Sequence, residues 1–272
     1  MRKLVFVIIN YNDYKTTKRL LDNIKDYKVI DKIYVVDNHS TDNSYEELKK
    51  LNIKRYEVIE TSSNKGFASA LNIGAKKAID DFSNVDIIFS NSDIIINSNA
   101  NLVGLKNTLD ERDVGLVGPV IFQQRELNRG WKLPSPTDEI LSNLPFIGKR
   151  FSKKLYYDEE HYKGEMSDVE VISFCFFLIK SEVLKKMGFF DENTFLYYEE
   201  NIMASKLKHT RYKILVNNNV TIIHDHSVSI DKSINRINKY KILKQSQMYC
   251  APTYNHASSL EKFLLRLTIR LT

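Results

Sequence analysis

Leu4-Val5-Phe6-Val7-Ile8-Ile9, followed at once by Asn10-Tyr11-Asn12, is the stretch that decides the fold. The six apolar residues show no polar alternation and are mostly β-branched. Such a run predicts a strand buried on both faces, which is what a parallel sheet covered by helices requires. The pattern recurs at Ile33 to Val36, which ends at Asp37; Tyr56 to Glu60 reads as a third strand and Val85 to Phe89, which runs into Ser90-Asn91-Ser92-Asp93, as a fourth. Helical signals stand between these runs. Asp13 to Lys28 carries Leu20, Leu21 and Ile24 on one face. Ser40 to Ser44 is rich in capping residues, with Glu46 and Glu47 in the first turn that follows and Lys49 and Lys50 in the last. Gly66 to Ile79 has an alanine-rich face. Strand and helix alternate over the first hundred residues, so the expected fold is α/β, with a mostly parallel central sheet flanked by helices. Ligands of such sheets bind at the carboxyl ends of the strands. Asn10, Asn12, Asp37, Asn38, Asn64, Asn91, Ser92 and Asp93 all fall there.

The second half is less regular. Gly115 to Phe122 and Val169 to Lys180 read as strands, and Glu182 to Met187 as a short helix stopped by Gly188. Glu199 to Thr210 reads as a further helix. Ile214 to Val216 and Val220 to Ile223 read as two short strands around an Asn217-Asn218-Asn219 turn. Gln123 to Glu165, with Trp131 and three prolines, is a long excursion of the kind that often covers a substrate. Residues 1–230 are expected to form the catalytic unit and 231–272 a basic, helical C-terminal extension.

Composition narrows the class. The chain has 272 residues, 43% hydrophobic and 27% charged, with nine Gly and five Pro, which suits a globular core and excludes a disordered or collagen-like chain. A formal charge of +6 suits anionic ligands or a membrane surface without singling out either. Two cysteines exclude a disulfide scaffold and a thiolate zinc site; Cys175, in an apolar run, reads as core. No signal peptide pattern opens the chain, and no apolar run approaches the roughly 20 residues of a spanning helix, so a cytoplasmic protein is expected.

Taken singly, the polar residues have plain structural readings. Asp37 can form an Asx turn, and its carboxylate can equally accept the N–H edge of a base. Asp93 can be a turn residue or an oxygen ligand for a hard cation. Glu199 and Glu200 can complement a helix dipole. His224 and His226 point the same way if their segment is extended. No G-x-G-x-x-G and no P-loop follows the first strand, which excludes those phosphate-binding modes.

In chain order these residues resemble the family 2 glycosyltransferases, of GT-A fold, from about Lys3 to Ser229. Val35 to Ser44 is similar to the family's VVDNGSTDGS stretch, and Asn64 to Gly74 to its NxGFAxAxNxG stretch. Ser90 to Asp93 takes the place of the DxD motif, keeping its last acid. Gly188 to Glu192 with Phe195 to Glu200 resembles GGFDExFFLYxED, with Glu200 where Asp is usual. His224 to Ser229 resembles the closing HxxGxS, with Ser227 in place of glycine. The nearest flavour is the rhamnosyltransferase-like and galactofuranosyltransferase-like branch that builds bacterial surface polysaccharides.

The resemblance implies inverting transfer from a nucleotide-sugar to a saccharide or lipid-linked acceptor. It implies Glu200 as base with Glu199 as fallback, and Asp93 with His224 or His226 around Mn²⁺ or Mg²⁺. Asp37, Asn10, Asn12, Asn38, Asn64, Gly66, Asn91 and Ser92 would surround the nucleotide, and Trp131 would stack on the acceptor or pack in the core. A carboxylate at Asp37 would favour the imide of a UDP- or dTDP-sugar, dTDP-rhamnose first. Two alternatives stay open: a sugar nucleotidyltransferase, although Val7 to Asn12 lacks the glycine loop it needs, and an inactive nucleotide-sugar-binding subunit. No nucleic acid partner is expected, and the sequence defines no oligomeric state. In the tail, Leu260, Phe263, Leu264, Leu267 and Leu271 share one helical stripe, with Lys262, Arg266 and Arg270 beside it. That helix either docks on the catalytic unit or rests on the anionic inner leaflet, as a peripheral attachment.

Overall fold

The structure is a computed structural model, and it describes residues 2–225 and 236–271. Strand β1 (Lys3–Asn10) lies between β2 (Lys32–Asp37) and β4 (Val85–Asn91), parallel to both, and β3 (Tyr56–Glu60) extends the sheet beyond β2. The path continues through β9 (Phe176–Lys180), β6 (Val114–Gln123), β10 (Lys213–His224) and the two-residue β5 (Ile94–Ile95). Along this path of eight strands among the described residues, β9 and β5 run opposite to the other six.

The apolar run of β1 is buried on both faces, and the two-residue period of a strand sorts it. Val5, Val7 and Ile9 join one core with α3 (Phe67–Phe82). Leu4, Phe6 and Ile8 join another with α1 (Tyr14–Ile24) and α4 (Asn99–Asp110). The alanine face of α3 lets it sit close to the sheet: a Cβ at Gly74 would lie 2.4 Å from Val7 Cγ1. Helix α2 (Ser44–Lys49) follows β2, with the acid-first, base-last order expected of it.

Three segments differ from the sequence reading. Only Phe176–Lys180 of the Val169 to Lys180 run is strand. Before it, Val171 makes a single bridge to Trp131, and Val169, Ile172 and Phe174 bury their side chains without a ladder. The two expected strands around Asn217 to Asn219 are one strand, β10, with an irregularity in its pairing to β6 between Asn217 and Thr221. There Asn217 donates to Thr108 Oγ1 and accepts from Asn219 N, so the polar triplet forms a bulge, not a turn. The excursion contains β7 (Glu126–Asn128), α5 (Pro136–Ser142), the short α6 (Gly148–Ser152) and β8 (Met166–Asp168). Helix α7 (Ser181–Lys186) follows β9, and α8 (Glu199–Leu207) precedes β10.

The C-terminal extension is helical as expected, in α9 (Arg236–Thr253) and α10 (Ser259–Arg270), the latter opened by a Ser258–Glu261 capping box. Its expected start at 231 lies outside the described residues. Helix α10 packs on α5 and α9 through Leu265, which joins Ala251 and Ala257 with Ile140 and Met248 around them. Leu265→Ala should therefore cost about 2–4 kcal/mol of stability. Leu267→Ala, at an exposed position on the same helix, should change it by less than about 0.5 kcal/mol. Denaturant melts followed by circular dichroism check both.

Candidate active site

The carboxyl ends of β1, β2 and β4 open onto a cavity of about 370 Å³. On the sheet side it is lined by Ile9, Tyr11, Asn38, Asn91, Ser92 and Asp93. Asn64, Gly66 and Phe67 bound it at the start of α3, and Ser173 to Cys175 wall it before β9. Phe195 to Tyr197, Glu199 and Glu200 complete it from the loop and first turn of α8. Residues more than one hundred positions apart thus face one space.

Asp93 and His224 come together through a strand pair. β5 runs antiparallel to the end of β10, with Ile94 opposite His224. This sets His224 Nε2 3.1 Å from Asp93 Oδ1, with both side chains buried. His224 Nδ1 lies 2.8 Å from Gln123 Oε1, which fixes the ring. Burial opposes a charge on His224, but hydrogen bonds to Asp93 and Cys175 outweigh it and raise the imidazole to about 10. Asp93 Oδ1 is a buried oxygen whose near polar neighbour is His224 Nε2. An oxygen and an imidazole nitrogen facing each other at this separation would fit a small divalent cation that displaces the proton between them and takes its other ligands from phosphate and water. No cluster of three or more His, Cys, Asp or Glu ligands exists among the described residues. His226, the other candidate ligand, lies outside them.

The first turn of α8 presents the two acids. Tyr197 (φ 72°) and Tyr198 (φ 74°) both hold left-handed backbone, uncommon for aromatic residues, and they turn the chain sharply into Glu199 and Glu200. Burial raises both carboxyls, and the charge of Glu200 raises Glu199 further, to about 8. Two acids so close titrate as a pair. Near neutrality the pair keeps a proton.

The nucleotide residues divide into frame and lining. Asp37 is fully buried, accepting from Asn10 Nδ2 (2.6 Å), Ser40 Oγ (2.7 Å) and Ser40 N (2.8 Å). Asn10 is buried with it, and its Oδ1 accepts from Thr17 Oγ1. Asp37 and Asn10 thus hold the turn after β2, and neither lines the cavity. Asn12 Oδ1 accepts from Thr41 N on the same turn, outside the cavity lining. Asn38, Asn64, Gly66, Asn91 and Ser92 do line the cavity, and Asn38 Nδ2 donates to Asn64 Oδ1 at 3.0 Å. Trp131 does not line it; the ring packs against the core, and its backbone pairs with Val171. Tyr11, Phe174, Cys175 and Phe195 line the cavity without having been singled out. Gln123 and Glu139 were likewise missed, because partners brought in by chain topology leave no local signal.

Gly66 is needed where it stands. Its φ is +102°, and an added Cβ would lie 2.4 Å from Phe195 O, whose carbonyl accepts from Phe67 N. Asn72 holds the same two regions together, donating to Phe190 O and accepting from Phe190 N.

The family model described as glycosyl transferase family 2 matches residues 5–188. The chain belongs to glycosyl transferase family 2. Solved structures agree in fold. The mannosyltransferase PcManGT from Pyrobaculum calidifontis, solved with GDP-Man and Mn²⁺, aligns over 100% of this chain and 70% of its own, at 17% identity and TM-score 0.63. GalNAc-T7, solved with UDP, GalNAc and Mn²⁺, aligns over 98% of this chain and 54% of its own, at 15% identity and TM-score 0.64. TarS 1-349 of S. aureus, solved with UDP-GlcNAc, aligns over 98% and 79%, at 15% identity and TM-score 0.58. No curated protein sequence matches the chain.

Two predictions follow from this geometry. Gly66→Ala should lower stability by about 1–3 kcal/mol through backbone strain, read by thermal melting. The second concerns Glu139 of α5, which is buried facing Tyr198 and Lys244. Burial raises its carboxyl to about 8 from an unfolded value near 4.5. Between those values the folded state binds more protons than the unfolded one, so stability falls as pH rises across this window. Glu139→Gln should flatten the fall in melting temperature between pH 5 and 8 relative to wild type, measured by calorimetry across that series.

Proposed function

We propose that this family 2 glycosyltransferase is an inverting, metal-dependent enzyme. It would move a sugar from a nucleotide-diphosphate donor to a saccharide or lipid-linked acceptor, in the manner of the rhamnosyltransferase-like and galactofuranosyltransferase-like branch that builds bacterial surface polysaccharides. One observation carries the reading: a single cavity is faced by the amides of Asn38 and Asn64, by Asp93 beside His224, and by the Glu199–Glu200 pair. Residues 1–230 form the catalytic unit in this reading, with 231–272 as its extension. Both cysteines are free and buried, which suits a reducing cytoplasm. Among the described residues no helix is long and apolar enough to cross a membrane.

Tyr11, Asn38 and Asn64 surround the nucleoside, while Asp37 and Asn10 hold the turn that positions them. Asn91 and Ser92 line the way to the diphosphate. Asp93 and His224 would hold the divalent cation, Mn²⁺ or Mg²⁺, with Gln123 orienting the imidazole. Bound there, the cation supplies Lewis-acid neutralisation of charge on the leaving diphosphate. Glu200, as the carboxylate, accepts the proton of the acceptor hydroxyl as that oxygen attacks the anomeric carbon. The bond from that carbon to the diphosphate breaks on the opposite face, so the configuration inverts. Glu199, protonated, adds no second charge beside the base. With Asp37 occupied internally, preference for a UDP- or dTDP-sugar rests on the amide edges of Asn38 and Asn64, which can pair with a pyrimidine imide, and on the family branch.

Glu200→Gln should lower kcat by about 10²–10⁴-fold with donor affinity nearly unchanged, because the amide cannot take the proton. Glu199→Gln, which imitates the protonated acid, should keep most activity. The reverse pattern would move the base to Glu199. Titration calorimetry with a panel of nucleoside diphosphates should give tighter binding of UDP or dTDP with Mn²⁺ than after EDTA. Asp93→Ala should abolish that difference, and tighter binding of GDP would overturn the pyrimidine assignment.

A further inference from the structure

Helix α10 carries two apolar stripes, and only one is used by the fold. Leu265 (1% exposed) and Thr268 (5%) face α5 and α9. Leu260 (66%), Phe263 (62%), Leu267 (46%) and Leu271 (57%) recur at helical spacing on the outer side, and no described residue covers them. Helix α10 runs beside α5: Thr137 Oγ1 donates to Glu261 Oε1 near their starts, and Ile140 packs in the Leu265 cluster further along. The chain leaving α5 carries a second exposed apolar pair, Phe146 and Ile147, with Phe146 fully exposed on a left-handed backbone (φ 66°). Exposed apolar groups of this size, repeated along one helix face and at the end of its neighbour, mark a surface that meets a partner.

Charge identifies the occupant. Lys149, Arg150, Lys153 and Lys154 follow Phe146 directly and are exposed, with no acid between residues 146 and 156. On α10 the cations are Lys262, Arg266 and Arg270, against the single acid Glu261, which is spent on the capping box. A second copy of the chain would set these cations against themselves, since a two-fold contact apposes the same patch. An anionic bilayer meets both demands: acyl chains and head groups accept the apolar stripe, and lipid phosphates accept the cations.

We propose that the outer face of α10, with the Phe146–Ile147 tip, is a docking surface for a bilayer rich in anionic lipid. The helix lies in the plane of the interface with its outer stripe in the head-group boundary, while its inner stripe keeps the catalytic unit attached.

Full-length protein is sedimented with vesicles of phosphatidylcholine alone and with vesicles that also contain phosphatidylglycerol. Wild type should partition onto the anionic vesicles, less so as salt rises, and remain in solution with phosphatidylcholine. Phe263→Glu with Leu267→Glu should reduce partition at least about tenfold at an unchanged melting temperature. If that variant melts early, Arg266→Glu with Arg270→Glu, on exposed cations, must give the same loss. Equal partition of wild type and these variants, or no partition of wild type, overturns the proposal. So does a lipid-free dimer in sedimentation velocity that the acidic variants dissolve, since the face then belongs to a second copy.

Discussion

Strand β1 has a hydrogen-bonded neighbour on each side and a helix layer on each face, so nothing polar can be placed along it. This constraint governs the rest of the sheet. Val5, Val7 and Ile9 commit one face to α3, Leu4, Phe6 and Ile8 commit the other to α1 and α4, and the ladder consumes the backbone. Polar side chains gather where the ladder stops, at Asn10, Asp37 and Asn91, which the parallel register brings side by side. The first of them must satisfy each other before they can meet a ligand. Asn10 and Asp37, both fully buried, do so with Ser40 and Thr17, and the turn they build carries Asn38 to the cavity.

A parallel sheet edge supplies one wall only, and the second half of the chain supplies the rest through a few specific ties. Asn72 of α3 pairs both ends of its amide with the backbone of Phe190, holding the segment before α8 against the sheet's helix layer. Phe195 O accepts from Phe67 N across the Gly66 gap. The β5–β10 pair draws His224 to Asp93. Each tie is a hydrogen-bonded contact of long sequence separation, so each is positioned by the fold and not by its neighbours in the chain.

That difference explains what could be read in the sequence. The first four strands and their helices follow from local pattern, because each strand's burial is written in its own residues. Tyr56–Glu60 is the third strand, at the bounds expected of it. The grouping of Asp93, Glu199, Glu200 and His224 was legible only through resemblance to a family, since their proximity depends on crossovers that periodicity does not encode. Asp37 was legible as a strand-end carboxylate but not as a buried one, because whether its oxygens are free depends on Asn10, twenty-seven residues earlier. The single long β10 was missed because an Asn-Asn-Asn run signals a turn locally, while pairing to β6 on both sides of it makes a bulge. In the tail the apolar spacing was visible, but which stripe docks could be assigned only once Leu265 was found against α5 and α9.

Helix α5 ties that tail to the chemistry. Its successive residues serve different partners: Glu139 turns inward toward Tyr198, and Ile140 turns toward α10. One turn later, Asn143 donates to Gln247 of α9 and accepts from Lys244. Lys244 is also the cation that offsets the buried Glu139 carboxyl. On the other side of α9, Tyr249 and Tyr254 both donate to Asp191, and Ser246 donates to Leu196 O, just before the two left-handed tyrosines. The loop that aims Glu199 and Glu200 is therefore held by the C-terminal extension as well as by its ties to α3. A strained turn persists only where its surroundings over-determine it. Here those surroundings include α5 and α9, so the extension belongs to the machinery that keeps the acid pair in place, whatever surface its outer face meets.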